Sequence, residues 1–318
     1  MRAVVLSEFT DPASPQVVER DEPVAGEGQV LVELVAADLQ PLDRQIARGG
    51  FPGAGPLPMI AGVSAVGRTA DGQLHVVLAE MTGMGLHRDG CFAEKFVCEP
   101  RQLVAVPDGL DPVSVAAVSN AGMHARRALF DVANLWETES VLVLGASGAL
   151  GRAAVQIASA AGINVVAAAR RVDAIPTATG AGTVTPIALG EPDDLPQQVL
   201  DATNGEGVNA VIDPLGGAFT GAAIRSSAPD AFHVLAGNQA GAMAPILVPM
   251  MLLREHTIVG LNGFRISEEE QHRLMEASLA DQVSGVLTPC PMVQFHFADA
   301  EDAYASPFPD RVVLVVDF

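Results

Sequence analysis

At 318 residues the chain is about twice the commonest domain length, and it is 49% apolar and 18% charged; this predicts two domains with buried cores and excludes disorder. A formal charge of −20 would repel a phosphate backbone and excludes nucleic acid as a partner. No apolar run approaches the roughly 20 residues that span a bilayer, and Glu8 and Asp11 interrupt the opening MRAVVLSEFT, so a cytoplasmic protein that does not engage membranes is expected.

Residues 1–112 read as β-rich. MRAVVL, VLVELVAA and the run around HVVLAE are short strands, separated by the turn-forming stretches DEPVAGEGQ, GGFPGAGPLP and VPDGLDP. From 113 onward strands and helices alternate. A helix is predicted near 114–130, then strand 141–144 with helix 149–161, and strand 164–169 with helix 193–203. Strands at 208–212, 231–236 and 256–260 come next, with helices at 216–227 and 267–280 and a last strand, RVVLVV. This α/β alternation predicts a doubly wound parallel sheet, a Rossmann domain over 113–280. The flanks, 1–112 and 281–318, are expected to close one smaller β-rich domain from both ends of the chain.

The stretch VLVLGASGALGRAAVQIASAAGINVVAAARR (141–171) carries the chemistry. A strand must turn sharply into a helix there. Gly145 permits the turn, Gly148 lets backbone approach a diphosphate, and Gly151 allows close helix–strand packing. The N–H groups at Ser147, Gly148, Ala149 and Leu150 then open the helix toward an anion. NAD-binding folds place an acid at the end of the second strand, for the ribose 2′-OH. Here Arg170 and Arg171 stand instead, and guanidinium groups suit a 2′-phosphate. The stretch predicts NADPH over NADH; the alternative for the pair is two solvated arginines.

Cys91, Cys98 and Cys290 form no C-x-x-C, and the seven histidines form no H-E-x-x-H, so reduced thiols and no metal site are expected. Asp213, at the carboxyl end of a predicted strand, is a candidate cofactor contact or a cap for the next turn.

Taken together, VLVELVAADLQPLDRQIARG, PMIAGVSAVG, GCFAEKFVCEPRQLVAVPDGLDPVSVAAV, GASGALGRAAVQIASAAG, VNAVIDPLGG, HVLAGN and DRVVLVV resemble the medium-chain dehydrogenase/reductase superfamily, in its zinc-free quinone oxidoreductase-like, enoyl reductase-like branch. The resemblance implies a GroES-like catalytic domain, a Rossmann domain, a cleft where NADPH meets a small-molecule substrate, and a homodimer. It implies hydride transfer to a quinone or to the activated C=C of an α,β-unsaturated carbonyl. Zinc-dependent relatives carry a cysteine near Asp38 and a histidine–glutamate pair near Val63 and Ser64; neither is present.

By the same resemblance, Gln40 occupies the asparagine position of A-x-x-x-N-P-x-D and is the candidate catalytic amide, or else a cap before Pro41. Asp43 is expected to anchor its own loop and Arg44 to be solvated. Asn120 matches the segment entering the cofactor domain, as a ribose or phosphate contact or a helix cap. Gly237 and Asn238 match a loop against the nicotinamide, and Asn262 a second such loop. Arg311 is a candidate diphosphate contact, or else an exposed arginine. Phe51 and Ser64 replace a hydroxylated aromatic and a glutamate, which motivates an alternative: an NADPH-binding member of the fold with a non-redox auxiliary or sensor role.

Overall fold

The computed structural model describes all residues except 290, 307–310 and 317–318; for 80, 81 and 311 only the backbone is described. The first stretch runs β1 (Arg2–Leu6), β2 (Gln16–Glu19), β3 (Val30–Leu39), α1 (Pro41–Ala47), β4 (Met59–Ile60), β5 (Ala65–Arg68), β6 (Leu74–Val77), β7 (Lys95–Cys98) and β8 (Leu103–Ala105). The ten-residue β3 is its backbone. Residues 34–39 of β3 are all buried, and the strand serves three partners along its length, β7 against residues 30–33, β5 against 33–36 and the late strand Arg311–Val315 against 36–39. Pro41 opens α1, its fixed φ suiting the first helical position and its missing N–H costing nothing there.

The second stretch runs α2 (Pro112–Arg126), β9 (Ser140–Leu144), α3 (Ala149–Ala160), β10 (Asn164–Ala169), β11 (Val184–Ala188), α4 (Leu195–Ala202) and β12 (Val208–Asp213). It continues through α5 (Gly217–Arg225), β13 (Ser227–Leu235), α6 (Val248–Arg254) and β14 (Thr257–Gly260). The last stretch holds α7 (Glu268–Val283), β15 (Met292–His296), α8 (Ala300–Ala305) and β16 (Arg311–Val315).

Two units result. The first, residues 1–120, 263–283 and 289–318, is the GroES-like β-rich unit. Its larger sheet has the order β15-β16-β3-β5-β6-β8, with β7 also on β3, and a smaller sheet has the order β2-β1-β4. Its core joins Leu34, Met59 and Phe92 to Phe297 and Tyr304 from the far end of the chain. The second unit, residues 121–262 and 284–288, is the Rossmann unit, with the order β11-β10-β9-β12-β13-β14. All five pairings in that sheet are parallel. Residues 141–144 of β9 are fully buried, as a central strand covered on both faces requires.

The division differs from the sequence expectation at three segments, 113–120, 263–280 and 284–288. Residues 113–120 and 263–280 group with the β-rich unit, not the Rossmann unit. Side chains tie both segments to that unit: Arg101 Nη1 donates to Glu268 Oε2 of α7 (3.0 Å), Asn120 Nδ2 donates to Gln40 Oε1 (3.0 Å), and Ser278 Oγ of α7 donates to the Ser119 carbonyl (2.8 Å). Conversely Thr288 joins the Rossmann unit by accepting from Gln156 Nε2 at 2.6 Å. No helix among the described residues is long and apolar enough to cross a membrane.

Candidate functional site

In the Rossmann unit the chain winds outward in two directions, from β9 to β10 and β11 on one side and through β12, β13 and β14 on the other. The β9–β12 junction is therefore the switch point, where open α/β sheets bind ligands outside the carboxyl ends of their strands. Gly145 comes directly after β9 with φ +63°, and a Cβ placed on it would sit 3.5 Å from Pro214 Cγ, so the β9 and β12 loops are immediate neighbours. A Cβ on Gly151 would collide with the Gly145 carbonyl oxygen and lie 2.8 Å from Ala146 Cα. The close helix–strand packing expected of that glycine is present.

Gly148 is the N-cap of α3 and supplies no capping side chain. The first N–H groups of this helix thus receive no side-chain acceptor, which leaves the partial positive charge of the helix end available to an anion. Ser147, Gly148, Ala149 and Leu150 are half-buried around that end. Arg170 and Arg171, just past β10, are both exposed. The turn after them is tied to the first turn of α3, because Arg152 Nη1 donates to the Ala174 carbonyl at 2.6 Å.

Asp213 takes the second of its two expected roles, the cap of the next turn. Its carboxylate is buried and occupied within its own loop, accepting from Leu215 N–H (2.8 Å), Gly216 N–H (2.9 Å) and Thr220 Oγ1 (2.5 Å). With these bonds it shapes the β12 loop. That loop supports the next one: Ala236 N–H donates to the Asp213 carbonyl (2.8 Å) and Ala240 N–H to the Leu215 carbonyl (2.7 Å). Gly237 must be glycine, since a Cβ there would lie 2.5 Å from the Pro214 oxygen. Gly237 and Asn238 are exposed on this edge, as is Asn262 past β14, whose carbonyl accepts from Arg127 Nη1 at 3.1 Å. The side chain of Arg311 lies outside the described residues.

In the β-rich unit, Gln40 caps α1 and is only 9% exposed. Its Oε1 accepts from Asn120 Nδ2 at 3.0 Å, while its Nε2 is buried with no partner. Asn120 is therefore bound to Gln40, 80 positions away in sequence. Asp43 anchors the loop as expected, and more besides. Its Oδ2 accepts Gln40 N–H (2.8 Å) and its Oδ1 accepts Val63 N–H (3.0 Å), which fastens α1 to the segment after β4. Burial pushes its carboxyl up to about 7 against these two bonds, with Asp38 nearby adding to the rise.

Arg44 is not solvated. It is buried and donates to the carbonyls of Ala303, Tyr304 and Ser306, brought from the other end of the chain. Phe51 packs its ring against Phe264 at 5.8 Å, an apolar role in keeping with its missing hydroxyl. Cys91 and Cys98 are free thiols, and Cys290 lies outside the described residues. Among the described residues no three His, Cys, Asp or Glu side chains are grouped to hold a metal. Neither the Asp43–Val63 link nor the Gln40–Asn120 pair is marked in the sequence; the Q-P-L-D spacing, N-cap to third helical residue, is the one local signal for part of it.

Comparison with known proteins agrees with this architecture. Residues 149–279 match the family model described as zinc-binding dehydrogenase. An alcohol dehydrogenase of Geobacillus stearothermophilus is 31% identical over 197 residues, 52% of this chain, and the chain spans 57% of that relative's length. A mycobacterial protein solved in complex with NADPH shares the fold with a TM-score of 0.85 at 22% identity, over 99% of this chain and 100% of that one. A quinone oxidoreductase of Pseudomonas syringae does so with a TM-score of 0.84 at 19% identity, over 99% of each chain. With its glycine turn and its parallel sheet, the chain shares the fold of these solved structures over nearly its whole length, and its residues 149–279 resemble the zinc-binding dehydrogenases.

Proposed function

We propose that the protein is a zinc-independent, NADPH-dependent reductase that delivers hydride to a quinone or to a C=C conjugated with a carbonyl. The observation that carries this is the uncapped, glycine-built start of α3 beside two exposed arginines. The residues fit the cofactor: the helix N–H groups suit its diphosphate, and Arg170 and Arg171 suit a 2′-phosphate. Gly237, Asn238 and Asn262 occupy the same edge of the sheet and are assigned to the nicotinamide half. When bound, the nicotinamide supplies the hydride.

The chain's own contribution to chemistry falls to Gln40. Its Nε2, buried and unpaired, donates to the carbonyl oxygen where negative charge develops, a type of contact that commonly supplies a large share of rate acceleration. Asp38, Val63 and Ser64 stand where zinc-dependent relatives place ligands, which is the ground for reading the enzyme as zinc-free.

The test is NADPH oxidation, and NADH in parallel, with enones, enoyl thioesters and quinones. Turnover with at least one class and a preference for NADPH is expected. Tight NADPH binding with no consumption in any of them would establish the alternative, a non-redox binder.

A homodimer completes this reading. α6, which packs against β13 and α5, has no buried residue, and on and before it Met243, Leu247, Val248, Leu252 and Leu253 are exposed. Apolar patches of this kind mark contact surfaces. Light scattering should give twice the 32.9 kDa chain mass, and Leu252→Asp/Leu253→Asp should return the single-chain value; a wild type of single-chain mass rules the dimer out.

A further inference from the structure

The carboxamide of Gln40 has one half filled and one half open. Oε1 is held by Asn120 Nδ2 at 3.0 Å, while Nε2 has no acceptor although the residue is nine-tenths buried. A buried donor without an acceptor is a cost that native structures avoid unless a ligand or water meets it. Both ends of this pair are fixed. The Gln40 backbone is held by Asp43 Oδ2 at 2.8 Å. Asn120 comes next to Ser119, whose carbonyl and hydroxyl take bonds from Ser278 and Gln282 of α7 at 2.8 and 2.9 Å. With the backbone set, the remaining freedom of Gln40 is which way its amide faces, and Asn120 decides that by donating to the oxygen.

Building on the reductase reading of Gln40, we infer that Asn120 is a positioning residue acting through Gln40, not a cofactor contact: it turns the Gln40 amide so that Nε2 is presented to the carbonyl oxygen of the ligand. The site then takes compounds that offer an oxygen acceptor next to the reducible bond.

Two substitutions separate this from other roles. Asn120→Asp presents only acceptors, so it captures Nε2 and turns Oε1 toward the ligand. Asn120→Ala releases the amide to rotate. Binding of 2-cyclohexenone to the NADP⁺-loaded protein, where no hydride is available, is measured by calorimetry, and NADPH affinity by fluorescence titration. Asn120→Asp should weaken the enone about 10-fold or more and Asn120→Ala a few-fold, each leaving NADPH affinity within about two-fold. In turnover, Asn120→Asp should lower kcat about 100-fold, the size of losing one such donor, with the KM for NADPH unchanged.

Loss of NADPH affinity with unchanged enone binding would make Asn120 a cofactor contact and overturn the proposal, as would wild-type protein that binds no enone. Enone reduction indifferent to Asn120→Asp overturns it while the reductase reading stands. Enone binding that depends on Asn120, with no NADPH oxidation, does the reverse.

Discussion

In the Rossmann unit the groups offered to a ligand belong mainly to the backbone. The start of α3 has no side-chain cap, and the nearest buried carboxylate, Asp213, is consumed in shaping its own loop. In the β-rich unit they belong to side chains: Gln40, Asn120 and Asp43 form a buried polar network in which one amide nitrogen stays open. A backbone site needs glycines and a sheet edge, and it serves a cofactor common to many proteins. A side-chain network is specific to its chain, and under the proposed function it is where substrate choice would reside.

The sharpest contrast is in pH response, because each unit buries a titratable group in conflict with its surroundings and the two conflicts have opposite sign. Asp43 has its carboxyl raised from 3.8 to about 7, mainly by burial. Its contribution to stability is complete below about pH 4 and is lost as pH rises to about 7. At about 1.4 kcal/mol per unit, that rise of roughly three units amounts to about 4 kcal/mol.

His233 of β13 is the opposite case. Both its ring nitrogens are buried without partners, beside His256 at 5.2 Å between ring centroids. Burial first, and then His256, lowers it from 6.5 to about 4. Its contribution is complete above pH 6.5 and is lost as pH falls toward 4, about 3 kcal/mol by the same conversion. Urea unfolding from pH 4 to 8 should therefore show Asp43→Asn with less alkaline loss than wild type, and His233→Phe with less acid loss. Tyr304, the one tyrosine, reports the β-rich unit and Trp136, the one tryptophan, the Rossmann unit. If both variants keep the wild-type pH slopes, the contrast is broken.

A smaller effect sharpens the cofactor side. Arg170→Ala should weaken NADPH binding by about 1.5–3 kcal/mol, the worth of a hydrogen bond to a charged group, and leave NADH nearly unchanged. Equal loss for both cofactors, by fluorescence titration, would mean that Arg170 does not meet a 2′-phosphate.

Legibility in the sequence obeys the same division. Gly145 and Gly151 are legible because a turn and a close packing leave marks at fixed spacing. Five strands of the parallel sheet appear as apolar, β-branched runs. The sixth, β11, does not: VTPIA contains Pro186 and is nearly all solvent-facing, as an edge strand tolerates. α6 is hidden for another reason, since PMMLLR shows no polar face to mark helical periodicity. Arg44 looks like a surface charge because the three carbonyls that bury it come from about 260 positions away. The Gln40–Asn120 bond likewise joins residues that no local pattern connects.

The position of β16 bears on the order of synthesis. It lies between β15 and β3 in the main sheet of the β-rich unit, pairing Val312 with Leu39 across 273 positions. At about 5–20 residues per second, β3 waits roughly 14–55 s after its own emergence for this neighbour. Residues 121–262 of the Rossmann unit are all translated within that interval. The Rossmann unit is thus available to form on the ribosome while the unit begun first still lacks its closing strand.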